Sequence, residues 1–95
     1  MNWKEDKLKK GETFITSEKG NSMTPLIKSG QEHKLAPVKL IDVNVDDIVF
    51  CKVKGHYYTH LVKGKNEAKG VLIGNNRGGI NGWTKQVFGK VIEVL

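Results

Sequence analysis

The chain has 95 residues, 38% of them hydrophobic, a formal net charge of +6 and a single cysteine, Cys51. That length carries one small domain with a thin core, and one cysteine excludes an internal disulfide. Its apolar runs fall far short of the ~18 residues of a membrane-spanning helix, and the lysines are spread from Lys4 to Lys90 among acids, which reads as a solvated basic surface with one local cluster, Lys7-Leu8-Lys9-Lys10.

Residues 1–11 read as an N-terminal arm. Asn2 is a helix N-cap and Gly11 a stop, so a short helix is predicted over residues 2–10, with Trp3 and Leu8 as its apolar anchors. The segment has charges but no apolar core of a secretory signal, so the expected location is the cytoplasm. Thr13 to Thr16 reads as a strand leading to Gly20-Asn21-Ser22-Met23-Thr24-Pro25. Glycine permits a tight corner and proline suits a first helical turn. About one turn of helix is therefore predicted with Ser22 at its start. A serine there either caps the helix or acts as a nucleophile in the field of open N–H groups.

Lys34 to Leu40 contains a second extended segment, and Pro37 inside it makes it an edge or irregular strand. A turn-rich connection over residues 41–47 follows. Ile48 to Val53 is the clearest strand, Lys54-Gly55 a two-residue turn, and His56 to Val62 the returning arm. That turn pairs Val53 with His56, Cys51 with Tyr58 and Val49 with His60. Alternation then puts His60 on one face with Val49, Cys51 and Tyr58, and Thr59 on the other. Residues 64–70 read as a polar loop, Val71-Leu72-Ile73 as a short buried strand, residues 74–82 as an irregular loop, and Val87 to Leu95 as the closing strand. No repeat or linker divides the chain. These elements predict an all-β domain over residues 1–95, a partly open, twisted barrel or coiled antiparallel sheets.

Several of these segments resemble a known family in the right order over about residues 12–95. Gly20 to Gly30, GNSMTPLIKSG, resembles the G-x-S-M-x-P box of the type I signal peptidase and LexA-repressor peptidase superfamily. Asp46 to Val53, DDIVFCKV, resembles its following G-D-I-V strand. Tyr57 to Val62, YYTHLV, resembles the strand that carries the general base, here in the histidine form. Ile73 to Gly82 resembles the late loop of the histidine-type enzymes, and Val87 to Ile92, VFGKVI, resembles the terminal strand.

The resemblance implies a serine peptidase with Ser22 as nucleophile and His60 as base. It implies a protein or peptide substrate with small side chains at the scissile bond, and Met23 and Tyr58 as substrate-groove candidates. The backbone N–H groups of Ser22 and Asn21 would hold the oxyanion. A histidine base suits this site, because free imidazole is already mostly neutral near pH 7, whereas a lysine must first lose about three pKa units. Lys63 falls on the opposite strand face from His60. Where the family has an aspartate to orient the base, this chain offers only amides, so Asn81 and Asn76 are the base-orienting candidates. Only 21 residues precede Ser22, so self-cleavage in the repressor manner is not expected, and a compact phage or mobile-element protein is the implied context.

Two other readings stand beside this one. A catalytically inactive binding module would use Ser22 as a cap and His60 as a packed residue. A basic nucleic-acid-binding barrel would use Phe14, Tyr57, Tyr58 and Trp83 as a stacking face. Cys51, His33, His56 and His60 lack metal-ligand spacing, and no phosphate or dinucleotide motif is present, so neither a metal nor a cofactor is expected.

Overall fold

The computed structural model describes residues 2–95. Helix α1 (Trp3–Lys9) is capped by the Asn2 side chain, which accepts from the N–H groups of Lys4 at 2.9 Å and Glu5 at 3.2 Å. Two of the donors that every helix start leaves open are thereby satisfied. The anchor differs from expectation. Lys4 and Leu8, one turn apart on the same face, are buried, while Trp3 is exposed and only tilts against Phe14, ring centroids 5.4 Å apart. Trp3 lies one position off the docked face.

Seven strands follow: β1 (Phe14–Thr16), β2 (His33–Pro37), β3 (Ile48–Val53), β4 (His56–Asn66), β5 (Gly70–Gly74), β6 (Ile80–Thr84) and β7 (Val87–Val94). They form one antiparallel sheet in the order β1-β2-β7-β3-β4-β5-β6, with a single 3-10 turn at Leu40–Asp42. The protein is therefore mainly β. The sheet stays open, since β1 and β6 are its two edges, yet it curls: Thr84 Oγ1 donates to the Lys52 carbonyl at 2.6 Å, bringing the end of β6 over β3.

The β3–β4 hairpin has the register that its turn predicts, Val53 opposite His56, Cys51 opposite Tyr58 and Val49 opposite His60. Lys54 and Gly55 both take positive φ, +50° and +85°, as a two-residue turn that follows the strand twist requires. Pro37 lies beyond the reach of β1, which pairs only with His33 to Leu35, so its missing N–H faces a free edge.

Two stretches are more extended than predicted. β4 continues through Gly64 to Asn66, accommodating an irregularity between Val62 and Gly64. Ile80 to Gly82, expected within the loop of residues 74–82, belong to β6 and pair with β5 instead. Only residues 75–79 remain as the connection.

Both faces of the central strands are covered. Val43, Val49, Cys51, Val53, Val62, Val71 and Ile73 fill one side, and Leu8, Leu35 and Phe50 pack on the other with Tyr57 and Phe88. This double burial explains the near-continuous apolar run of β3. Burial also pushes the Cys51 thiol up to about 12, so it is a packing residue rather than a reactive one. No helix among the described residues is long and apolar enough to cross a membrane.

Candidate active site

Ser22 sits on the connection between β1 and β2. Gly20 enters it with φ +125°, a conformation that glycine alone adopts readily. The predicted helical turn does not form. Thr24 N–H reaches Asn21 O at 3.2 Å and only Ile27 N–H spans four residues, to Met23 O at 3.0 Å, so the segment is a run of turns. Pro25, joined to Thr24 by a cis peptide, offers no N–H to extend it.

The corner is fastened on two sides. Met23 and Ile27 are buried against Leu61 of β4. Met23, at 5% exposure, anchors the corner and also walls the small cavity beside Ser22. From the other side, Asn76 donates its backbone N–H to Ser22 O at 2.8 Å and its side-chain amide to Thr24 O at 2.9 Å. Asn76 therefore holds the serine segment and does not touch the imidazole, which corrects its expected place beside the base.

These fastenings bring three distant residues into line. Ser22 Oγ lies 3.0 Å from His60 Nε2, and His60 Nδ1 lies 2.7 Å from Asn81 Oδ1. The acceptor at Nδ1 fixes the proton there, which leaves Nε2 free to receive the serine hydroxyl proton. His60 is 8% exposed, and Tyr58 stacks on it with centroids 4.9 Å apart, so the ring is held on its face as well as its edges. Asn81 reaches the site because β6 is a strand. As part of a loop its position would not have been legible. The Ser22 and Asn21 N–H groups form no hydrogen bond among the described residues. Lys63 is exposed and takes no part in these bonds.

A second polar cluster lies directly behind the first, and nothing in the motif pattern points to it. Glu18 Oε1 accepts from Thr59 Oγ1, with Lys4 Nζ at 3.4 Å and His33 Nε2 at 3.7 Å. It ties the serine segment to the strand that carries His60, and both to α1 and β2. The only sequence hints are Thr59 next to His60 and Glu18 four residues before Ser22. Burial pushes the Glu18 carboxyl up, but His33, Thr59 and Lys4 together more than offset this and hold it at about 2. Its folded value lies below that of a free carboxyl. Its stabilisation is therefore present above the usual carboxylate range and lost as pH falls from there toward 2. The thermal midpoint should decline over that window, and Glu18→Gln should flatten the decline. Equal slopes in scans from pH 6 to 2.5 would contradict this assignment.

The aromatics expected to form a stacking face each have a close neighbour. Lys7 lies over Phe14, Lys52 over Tyr57 and Lys69 over Trp83, each within 5.7 Å, and Tyr58 is against His60. Among the described residues, no three of His, Cys, Asp and Glu gather as a metal site. Compared with models of known protein families, with curated proteins and with solved structures, the chain matches none.

Proposed function

We propose that the protein is a serine peptidase that cleaves a peptide bond of a protein substrate with Ser22, His60 and Asn81. The observation that carries the reading is the continuous line from Ser22 Oγ through both ring nitrogens of His60 to Asn81 Oδ1, at 3.0 and 2.7 Å. A helix-capping serine would not need a buried imidazole aligned on its hydroxyl, and a merely packed histidine would not need an oriented tautomer.

The chemistry follows from the alignment. His60 Nε2 takes the Ser22 proton as Oγ attacks the substrate carbonyl carbon, and the oxyanion is met by the Ser22 N–H. The imidazolium then gives that proton to the departing amine, and an ester remains on Oγ. A water deprotonated by His60 hydrolyses it. Asn81 holds the tautomer, as an asparagine does in Cys-His-Asn peptidases, but brings no negative charge to the imidazolium. β6 is a sheet edge and carries Asn81, so an extended peptide can pair along it beside the site.

A fluorogenic peptide library tests the reading. The wild type should turn over a subset of peptides slowly, and Ser22→Ala and His60→Ala should each lose that turnover. Removing the serine or histidine of a complete triad costs about 10⁶-fold, and the asparagine forgoes part of that margin, so a loss of roughly 10²-fold or more is expected here. Equal turnover in all three proteins would reject it.

A further inference from the structure

Asn81 is followed by Gly82, the one Asn-Gly pair in the chain. A glycine nitrogen has no neighbouring side chain to hinder its attack on the side-chain carbonyl carbon of the preceding asparagine. Three features of the fold gather on this pair. The register shift between β5 and β6 sets Gly82 opposite Ile73 and Ile80 opposite Gly74, so Asn81 is the extra residue of a β-bulge, with no residue opposite it. Its side-chain Oδ1 accepts from His60 Nδ1–H at 2.7 Å. That hydrogen bond draws electron density from Cγ and stabilises negative charge developing on Oδ1. On the glycine side stands the Lys54 ammonium: a Cβ built on Gly82 would lie 3.6 Å from Nζ. A cation there favours the deprotonated Gly82 nitrogen, which is the attacking species.

We propose that Asn81 is a modification site, converted to aspartate through its own backbone, and that the carboxylate so formed raises the activity of Ser22 and His60. The Gly82 nitrogen gives up its proton and bonds to Asn81 Cγ. The Cγ–Nδ2 bond breaks, Nδ2 leaves as ammonia with the proton that Gly82 lost, and a cyclic imide remains. Water then adds to Cγ and the Cγ–N bond opens, which returns a proton to the Gly82 nitrogen and leaves an aspartate. Water attack on the main-chain carbonyl of residue 81 would instead give an isoaspartate, with an extra methylene in the backbone. In an unfolded chain the main-chain carbonyl, next to an acylamino group, is the more electrophilic, and isoaspartate dominates. In the fold His60 polarises the side-chain carbonyl, so water is directed to Cγ and aspartate is the main product. The gain in activity rests on the peptidase reading: a carboxylate beside Nδ1 stabilises the imidazolium that forms as Ser22 attacks.

The experiment incubates the protein at neutral pH, folded and urea-unfolded, in heavy-oxygen water that marks newly converted residues. Peptide mapping separates asparagine, aspartate and isoaspartate at position 81. The folded wild type should accumulate aspartate over isoaspartate, and the unfolded chain the reverse. His60→Ala should slow conversion in the folded protein roughly tenfold or more, the effect of one hydrogen bond to a developing charge. Lys54→Gln should slow it about two- to fivefold, on the scale of an exposed charge. Turnover of a fluorogenic peptide should climb with the aspartate fraction toward the value of Asn81→Asp, while fluorophosphonate labelling reports Ser22 separately. Retention of asparagine in the folded protein while the unfolded chain converts overturns the inference and leaves the peptidase reading intact. So does isoaspartate as the main folded product. Aspartate that forms without a rise in turnover, in a protein that labels at Ser22, overturns its role in activity. No labelling at Ser22 before or after conversion rejects the peptidase reading itself. The wild-type product ratio decides the matter even if His60→Ala does not fold, and a folded His60→Ala that converts as fast as wild type overturns the part given to His60.

Discussion

Asn81→Asp should raise kcat for peptide hydrolysis roughly 10- to 10³-fold. The substitution changes one atom group, and Oδ1 already stands 2.7 Å from His60 Nδ1, so the geometry needs no rearrangement. What changes is charge. A carboxylate within about 4–6 Å favours the cationic partner by one to three pKa units, and the imidazolium is the species that forms as Ser22 attacks. The upper end of the range is reduced by the cost of placing a carboxylate in a half-buried position. The same charge should move the acid limb of the pH–rate profile to higher pH. Asn81→Leu should act in the opposite direction, since it leaves Nδ1 without an acceptor and frees the tautomer. The comparison is kcat across pH 5–10 for the three proteins. Asn81→Asp no faster than wild type at its own optimum would mean that the Asn81 contact does not orient a base.

Gly70→Ala should destabilise the fold by about 2–4 kcal/mol, a fall of roughly 10–20 °C in thermal midpoint for a domain of this size. A Cβ at Gly70 would stand 2.2 Å from the Thr84 carbonyl oxygen and 2.8 Å from its carbon, both backbone atoms that cannot swing aside. Gly70 also holds φ +91°, which alanine tolerates poorly. The clash falls where β5 meets β6, the strand that delivers Asn81. A mutant that still folds should therefore lose activity beyond its loss of stability. Gly20→Ala is the contrast: the same backbone strain applies, but no atom lies within 4 Å of its Cβ position, so a smaller fall is expected. Calorimetry on both variants checks the ranking, and an unchanged midpoint for Gly70→Ala contradicts the β5–β6 packing.

What could be read from the sequence follows from how local each signal is. The Lys54-Gly55 turn is two residues long and sets register by itself, so the face shared by Val49, Cys51, Tyr58 and His60 is legible from the residues alone. The Asn2 cap is legible for the same reason. The strand Ile80 to Thr84 is not, because its glycine and asparagine match a loop in isolation and only pairing with β5 makes them a strand. Trp3 misleads through its size: the docked face is set by the spacing of Lys4 and Leu8, not by the largest apolar residue. In the site, the turn chemistry and strand alternation single out Ser22 and His60, and the resemblance of their segments to the peptidase family makes them nucleophile and base candidates. The choice between Asn76 and Asn81 depends on which one a sheet edge carries inward. The cluster of Lys4, Glu18, His33 and Thr59 joins four elements across long sequence separations, and no spacing rule announces it.

The most direct test of the central claim is the site of covalent modification by a fluorophosphonate. The Ser22–His60 pairing predicts a single adduct, mapped by mass spectrometry to Ser22. Ser22→Ala should carry no adduct, and His60→Ala should label at a rate reduced roughly 10²-fold or more. Wild-type protein that forms no adduct at Ser22, or a folded His60→Ala that labels as fast as wild type, would contradict the claim that Ser22 is a nucleophile activated by His60.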